Sequence, residues 1–132
     1  MASLGEFSVT GVLRSEDGVR AKKFYTEVLG LREASVAGPR SEDIFTAGDG
    51  SSVMIYERPG MSAPENTTLG FSVPLDRFEE VSDDLRAKGV VFEDFDLPDI
   101  GLTTVKGIAE FDGVKVAWFK DSEGNTIALR SI

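Results

Sequence analysis

The sequence predicts an α+β fold made of two tandem βαβββ units within 132 residues. Three observations carry this. The order that hydrophobic periodicity gives, strand, helix and then three strands, runs through the chain twice. The glycines that close the two helices, Gly30 and Gly89, stand 59 positions apart, the spacing of a duplicated unit. A stretch without periodicity, Arg58 to Asn66, carries Pro59, Gly60 and Pro64 and separates the two runs.

In the first unit (about residues 6–58), Phe7 to Arg14 alternates around Val9, Gly11 and Leu13 and reads as a strand. Ser15 to Gly18 supplies turn and helix-capping residues. Val19 to Leu29 follows helical spacing, with Val19, Phe24, Val28 and Leu29 on one side and charges on the other. Gly30 reads as its left-handed cap. Leu31 to Val36 is a second strand, broken by Gly38-Pro39, and Asp43–Ala47 and Ser51–Glu57 form a hairpin across Gly48-Asp49-Gly50.

The linker covers about residues 59–66, and the second unit about 67–132. Thr67 to Val73 reads as a strand and Leu75 to Lys88 as an amphipathic helix with Phe78, Val81 and Leu85 inward. Val90 to Phe95 is expected as a strand. Leu97 to Lys106, with Pro98 and Gly101, is expected as an irregular loop. Gly107–Asp112 and Val114–Lys120 form a hairpin about Gly113, and Asp121–Asn125 turns the chain into a last strand, Thr126–Ser131. Neither unit is expected to stand alone, because each must bury one face of a small sheet. The chain is therefore read as one domain, residues 1–132.

Composition narrows the function. Hydrophobic residues make up 41%, enough for a core without staples. No apolar run approaches the roughly 18 residues needed to cross a bilayer, and Met1 to Glu6 has no signal-peptide pattern, so a cytoplasmic protein is expected. A net charge of −9 repels phosphate backbones and anionic lipid, which argues against nucleic-acid and membrane partners. There is no Cys and no His. That removes thiolate nucleophiles, imidazole bases and His-ligated transition metals, and leaves carboxylates, Lys, Arg, Tyr and hydroxyls for any catalysis.

Two segments add a resemblance. Ala21-Lys22-Lys23-Phe24-Tyr25-Thr26-Glu27-Val28-Leu29-Gly30-Leu31 is similar to the "FY…LGL" first helix of the vicinal oxygen chelate superfamily, which groups glyoxalases, bleomycin-resistance proteins and dioxygenases. Phe119-Lys120-Asp121-Ser122-Glu123-Gly124-Asn125-Thr126-Ile127-Ala128-Leu129 resembles its closing hairpin. The resemblance implies a mixed sheet cupped around a pocket, with helices outside. It does not imply one activity, since that fold hosts isomerases, dioxygenases, transferases and drug-binding proteins. It also implies a homodimer and a small organic ligand as partners.

The resemblance further implies where metal ligands would stand. Counting from Phe24, Gly89 and Gly124 leads to Thr10, Thr68 and Ala128, where members of the superfamily have His, His and Glu. Two neutral hydroxyls and a methyl are not a divalent-cation site, so no metal or other cofactor is expected. Period-two alternation extends these positions to a ligand face of Thr10, Val12 and Arg14, Thr68, Gly70 and Ser72, and Trp118, Ala128 and Arg130. Trp118 has two readings, a stacking surface for a planar ligand or a core or interface residue. Arg14 and Arg130 are read as rim cations or as contacts to ligand anions. Glu57 and Tyr56 are the remaining acid–base candidates, although neither has a visible partner. Tyr25 is read as structural.

Three functions compete. The first is a metal-free protein that sequesters a drug or metabolite, like the bleomycin-binding branch, with antibiotic resistance as one outcome. The second is a metal-independent lyase or isomerase using Glu57, Tyr56 or Arg130. The third is an interaction domain whose cup is filled by Trp118 and its neighbours.

Overall fold

The computed structural model describes residues 3–34 and 42–132. The chain divides into two compact units, Met1–Ser62 and Ala63–Ile132. The expected break at Gly38-Pro39 and the end of the second strand lie outside the described residues.

The first unit contains β1 (Thr10–Ser15), α1 (Gly18–Lys23), a π-helical turn (Phe24–Val28), β2 (Arg32–Glu33), β3 (Glu42–Thr46) and β4 (Ser52–Glu57). The sheet order is β1-β4-β3-β2, with β1 parallel to β4 and the other pairs antiparallel. The parallel pair needs a crossover, and α1 opens it. Strand β1 starts later than the expected Phe7. Ser3 caps a short 3-10 turn over Leu4–Glu6, and its own N–H donates back to Glu6 Oε2 at 2.9 Å. Phe7 and Val9 are consequently exposed.

Helix α1 begins where Asp17 Oδ1 accepts from the backbone N–H groups of Val19 and Arg20, both at 3.1 Å. It does not run as one α-helix to Leu29. Beyond Lys23 the backbone widens to a π turn, in which Leu29 N–H donates to Phe24 O at 3.1 Å. Thr26 Oγ1 donates to Lys22 O at 2.8 Å, a side-chain bond typical of a disturbed helix. Val19 is exposed, not inward. At 100° per residue it lies about 140° around the helix from Phe24, so it could not share that side. The buried stripe is Ala21 and Tyr25. Tyr25 is fully enclosed, edge-on to Phe24 at 5.7 Å and stacked on Phe45 at 6.0 Å, within a core of Leu13, Leu31, Val53 and Ile55. On the surface a hydrogen bond from Lys22 to Glu33 at 2.9 Å holds that ammonium above its usual pKa.

The linker, residues 58–66, has no helix or strand. Its start is tied to the first unit. Arg58 N–H donates to Ser15 O at 2.8 Å, and Gly60 N–H donates to both carboxylate oxygens of Glu16, at 3.2 and 2.9 Å.

The second unit contains β5 (Thr67–Val73), a 3-10 turn (Leu75–Arg77), α2 (Phe78–Ala87), β6 (Asp96–Leu97), β7 (Leu102–Val105), β8 (Ile108–Phe111), β9 (Val114–Lys120) and β10 (Thr126–Ser131). The order is β5-β10-β9-β8-β7-β6. As in the first unit, the first and last strands pair in parallel and the others are antiparallel. Phe78 and Leu85 of α2 are buried, as are Phe92, Phe119, Ile127 and Leu129, with Arg86 of the helix over the Phe92 ring at 5.0 Å, while Val81 is half-buried. Ser82, also buried, donates to Phe78 O at 2.9 Å.

Two expectations fail here. Val90 to Phe95 is not a strand. It makes a single bridge, Phe92 to Phe119, with Glu93 N–H donating to Trp118 O at 2.8 Å. The stretch read as an irregular loop contains β7, and Pro98 and Gly101 form the turn that leads into it, with Gly101 at φ 70°. Both sheets are mixed and helices are few, so the α+β expectation holds. Among the described residues no helix is long and apolar enough to cross a membrane.

Candidate functional site

In the first unit, alternation along β1 turns Leu13 and Ser15 toward the buried side and Thr10, Val12 and Arg14 to the other face. Their partners across β4 are Ser52, Met54 and Tyr56. Thr10 Oγ1 and Ser52 Oγ share a hydrogen bond at 3.0 Å. Val12 is exposed. Arg14 is not a solvated rim cation, since only 8% of its surface is exposed. Tyr56 shares this face, opposite Arg14. Glu57 lies on the other face, where its Oε1 accepts from Gly18 N–H at 3.4 Å. The two acid–base candidates are therefore not brought together.

In the second unit the face away from α2 is organised in rows across β5, β10 and β9. One row is Gly70, Ala128 and Trp118, and the next is Ser72, Arg130 and Val116. The first row steps from no side chain to a methyl to an indole, leaving a shelf beside the ring. Gly70 is exposed, and a Cβ added there would meet nothing within 4 Å. Trp118 is half-buried, with Phe95 edge-on at 5.4 Å. Arg130 is exposed at the end of the shelf beside exposed Ser72. Thr68 Oγ1 donates to Thr126 O at 3.1 Å, so that hydroxyl is tied to the β10 backbone.

Three residues of this face were not read from the sequence: Phe95, Glu93 and Lys120. Lys120 is two positions beyond Trp118 on the same strand, and alternation could have found it. Glu93 and Phe95 join the sheet through one bridge, which leaves no periodic signal.

The turn that brings β9 back as β10 is held by Asp121. Its Oδ1 accepts from the N–H groups of Glu123 and Asn125, both at 2.8 Å, and its Oδ2 accepts from Asn125 Nδ2 at 2.9 Å. Asp121 and Asn125 are 6% and 1% exposed, and Gly124 takes φ 86° between them. Beyond this turn Ala128 pairs opposite Trp118.

Taken one by one, the positions where the superfamily has metal ligands are poor donors to a divalent cation: Thr10 is a neutral hydroxyl bonded to Ser52 in the first unit, and in the second Thr68 is a neutral hydroxyl bonded to the β10 backbone and Ala128 offers only a methyl. Among the described residues no group of three or more acidic side chains is placed to hold a metal ion.

The chain matches the model of the Glyoxalase/Bleomycin resistance protein/Dioxygenase superfamily over residues 8–129, and it belongs to that superfamily. Solved structures of similar fold include a glyoxalase/dioxygenase from Nostoc punctiforme, 17% identical, with a TM-score of 0.70 over 99% of this chain and 94% of that one. The fosfomycin resistance protein FosX from Listeria monocytogenes is 16% identical, with a TM-score of 0.67 over 96% and 90%. The lactoylglutathione lyase from Agrobacterium tumefaciens is 15% identical, with a TM-score of 0.65 over 95% and 92%. At these identities the likeness shows the fold alone. No curated protein sequence matches the chain.

Proposed function

We propose that this chain is a metal-free small-molecule-binding protein, a cytoplasmic homodimer that sequesters a planar drug or metabolite. The observation that carries this is the Gly70–Ala128–Trp118 row, a shelf of minimal side chains beside a half-exposed indole. Apolar walls with a few placed polar groups are the usual make-up of a ligand site, and Ser72 and Arg130 supply polar groups at the shelf's end. Stacking on Trp118 would add about 0.5–1.5 kcal/mol beyond area burial. The name of one structural relative, a fosfomycin resistance protein, is in keeping with drug binding. The lyase or isomerase reading has less support, because Glu57 is turned to Gly18 N–H and away from the face that carries Tyr56.

Native mass spectrometry of the purified protein tests this. A metal-free dimer with a small organic adduct is the expected spectrum, and one stoichiometric metal per chain would overturn the reading. Filling the shelf gives an independent check. Gly70 has space for a side chain and no positive φ, so Gly70→Leu is expected to keep the melting temperature within a few degrees while weakening adduct binding by about tenfold or more. Undiminished adduct in Gly70→Leu would place the ligand elsewhere.

A further inference from the structure

Beside Trp118 the same face carries a charged pair. Lys120 Nζ donates to Thr126 Oγ1 at 2.5 Å and stands 3.7 Å from Glu93 Oε1. The second distance makes an ion pair but is too long for an N–H···O hydrogen bond. An ammonium has three donors and a carboxylate two acceptor oxygens, so bonding capacity remains on both groups once Thr126 is served. Both are accessible, with side chains 48% and 31% exposed. Their position is fixed from the backbone: Glu93 N–H donates to Trp118 O at 2.8 Å, and Phe95, two residues on, meets the indole at 5.4 Å.

The pair has no net charge. A cationic ligand group would be set against Lys120 and an anionic one against Glu93, each a like-charge contact with a cost. A neutral group that presents a donor beside an acceptor satisfies both at once. We infer that Glu93 and Lys120 read the polar edge of the ligand, and that this edge is the cyclic amide of a planar heteroaromatic ring lying on Trp118. The ring N–H donates to the Glu93 carboxylate, and the ring carbonyl accepts from Lys120 Nζ. This assignment rests on the ligand-binding reading of the same face and adds the chemical class and the residues that select it.

Quinolin-2(1H)-one and 1-methylquinolin-2-one test the inference as a matched pair, since N-methylation removes the donor and keeps the ring and its carbonyl, and comparison across the variants separates this from the methyl group's bulk. Calorimetric titration of the full chain is expected to give about tenfold tighter binding of the unmethylated ring, the worth of one hydrogen bond to a charged acceptor. The preference should fall to within about twofold in Glu93→Leu, and both rings should bind about tenfold more weakly in Lys120→Met. Lys120 is half-exposed, so Lys120→Met is expected to fold and to carry the test if Glu93→Leu does not. Equal binding of the two rings to the wild type overturns the amide assignment and leaves the binding reading standing. A preference that survives in folded Glu93→Leu overturns the role of Glu93, and undiminished binding of both rings to Lys120→Met overturns the role of Lys120. No binding of either ring, in a protein that still carries an organic adduct, overturns the ligand class. Absence of any adduct removes the binding reading itself.

Discussion

Gly107→Ala is expected to destabilise the protein by at least about 3 kcal/mol, a drop of about 10 °C in melting temperature for a chain of this size. A Cβ at this position would lie 2.4 Å from Phe92 Cβ and 3.3 Å from the Phe92 carbonyl carbon and oxygen. Neither contact is with the end of a flexible side chain, so relief requires the backbone to move. Phe92 is itself held on several sides: it packs edge-on to Phe119 at 5.8 Å, lies under the Arg86 guanidinium at 5.0 Å and bridges to Phe119 through the backbone. Gly107 also takes φ 79°, and its N–H donates to Asp94 Oδ1 at 2.7 Å. Gly113 is the matched control. It has φ 78° with nothing within 4 Å of an added Cβ, so Gly113→Ala incurs backbone strain alone, about 1 kcal/mol. Urea unfolding of the two variants side by side separates the clash from the strain. Equal midpoints would mean that Phe92 yields, and the packing argument would fall.

The same region shows how far the sequence could be read. Leu102-Thr103-Thr104-Val105 is rich in β-branched residues and ends at a two-residue turn, Lys106-Gly107, in which both residues have positive φ. The strand is legible in those residues, but Pro98 and Gly101 just before it carry turn signals that mask it. By contrast, β5 and β10 fall where alternation places them, because Pro74 stops the first and the Asp121–Asn125 turn starts the second. Periodicity also gives which residues of the second unit share the face away from α2. Other features depend on choices that no local pattern encodes. The π turn arises because Leu29 N–H reaches back five residues instead of four. The burial of Arg14 and the approach of Glu93 and Phe95 to Trp118 are tertiary, and only coordinates reveal them. Ser3 and Glu6, a capping box just upstream, were a readable sign that β1 would start late.

Asp121→Ala carries the other large effect, expected at about 3–5 kcal/mol. The substitution removes the acceptor of three hydrogen bonds at once, from Glu123 N–H, Asn125 N–H and Asn125 Nδ2, in a turn where both side chains are buried. Water cannot easily take the carboxylate's place, so each abandoned donor bears its desolvation cost. Asp121→Asn keeps a carbonyl oxygen for the two backbone donors but sets an amide against Asn125 Nδ2, and is expected at about half that loss. The consequence reaches the face that carries Trp118. Asp121 N–H donates to Asn125 O at 2.9 Å, closing the hairpin that places Trp118 across from Ala128 and Lys120 across from Thr126. If the turn sets this register, Asp121→Asn should weaken adduct binding while the protein remains folded, and the emission of the single tryptophan should shift toward that of exposed indole. Stability loss with unchanged emission and unchanged binding would show that the strands hold register without the turn. A loss below about 1 kcal/mol for Asp121→Ala, measured by urea unfolding, would show that the three donors find other acceptors.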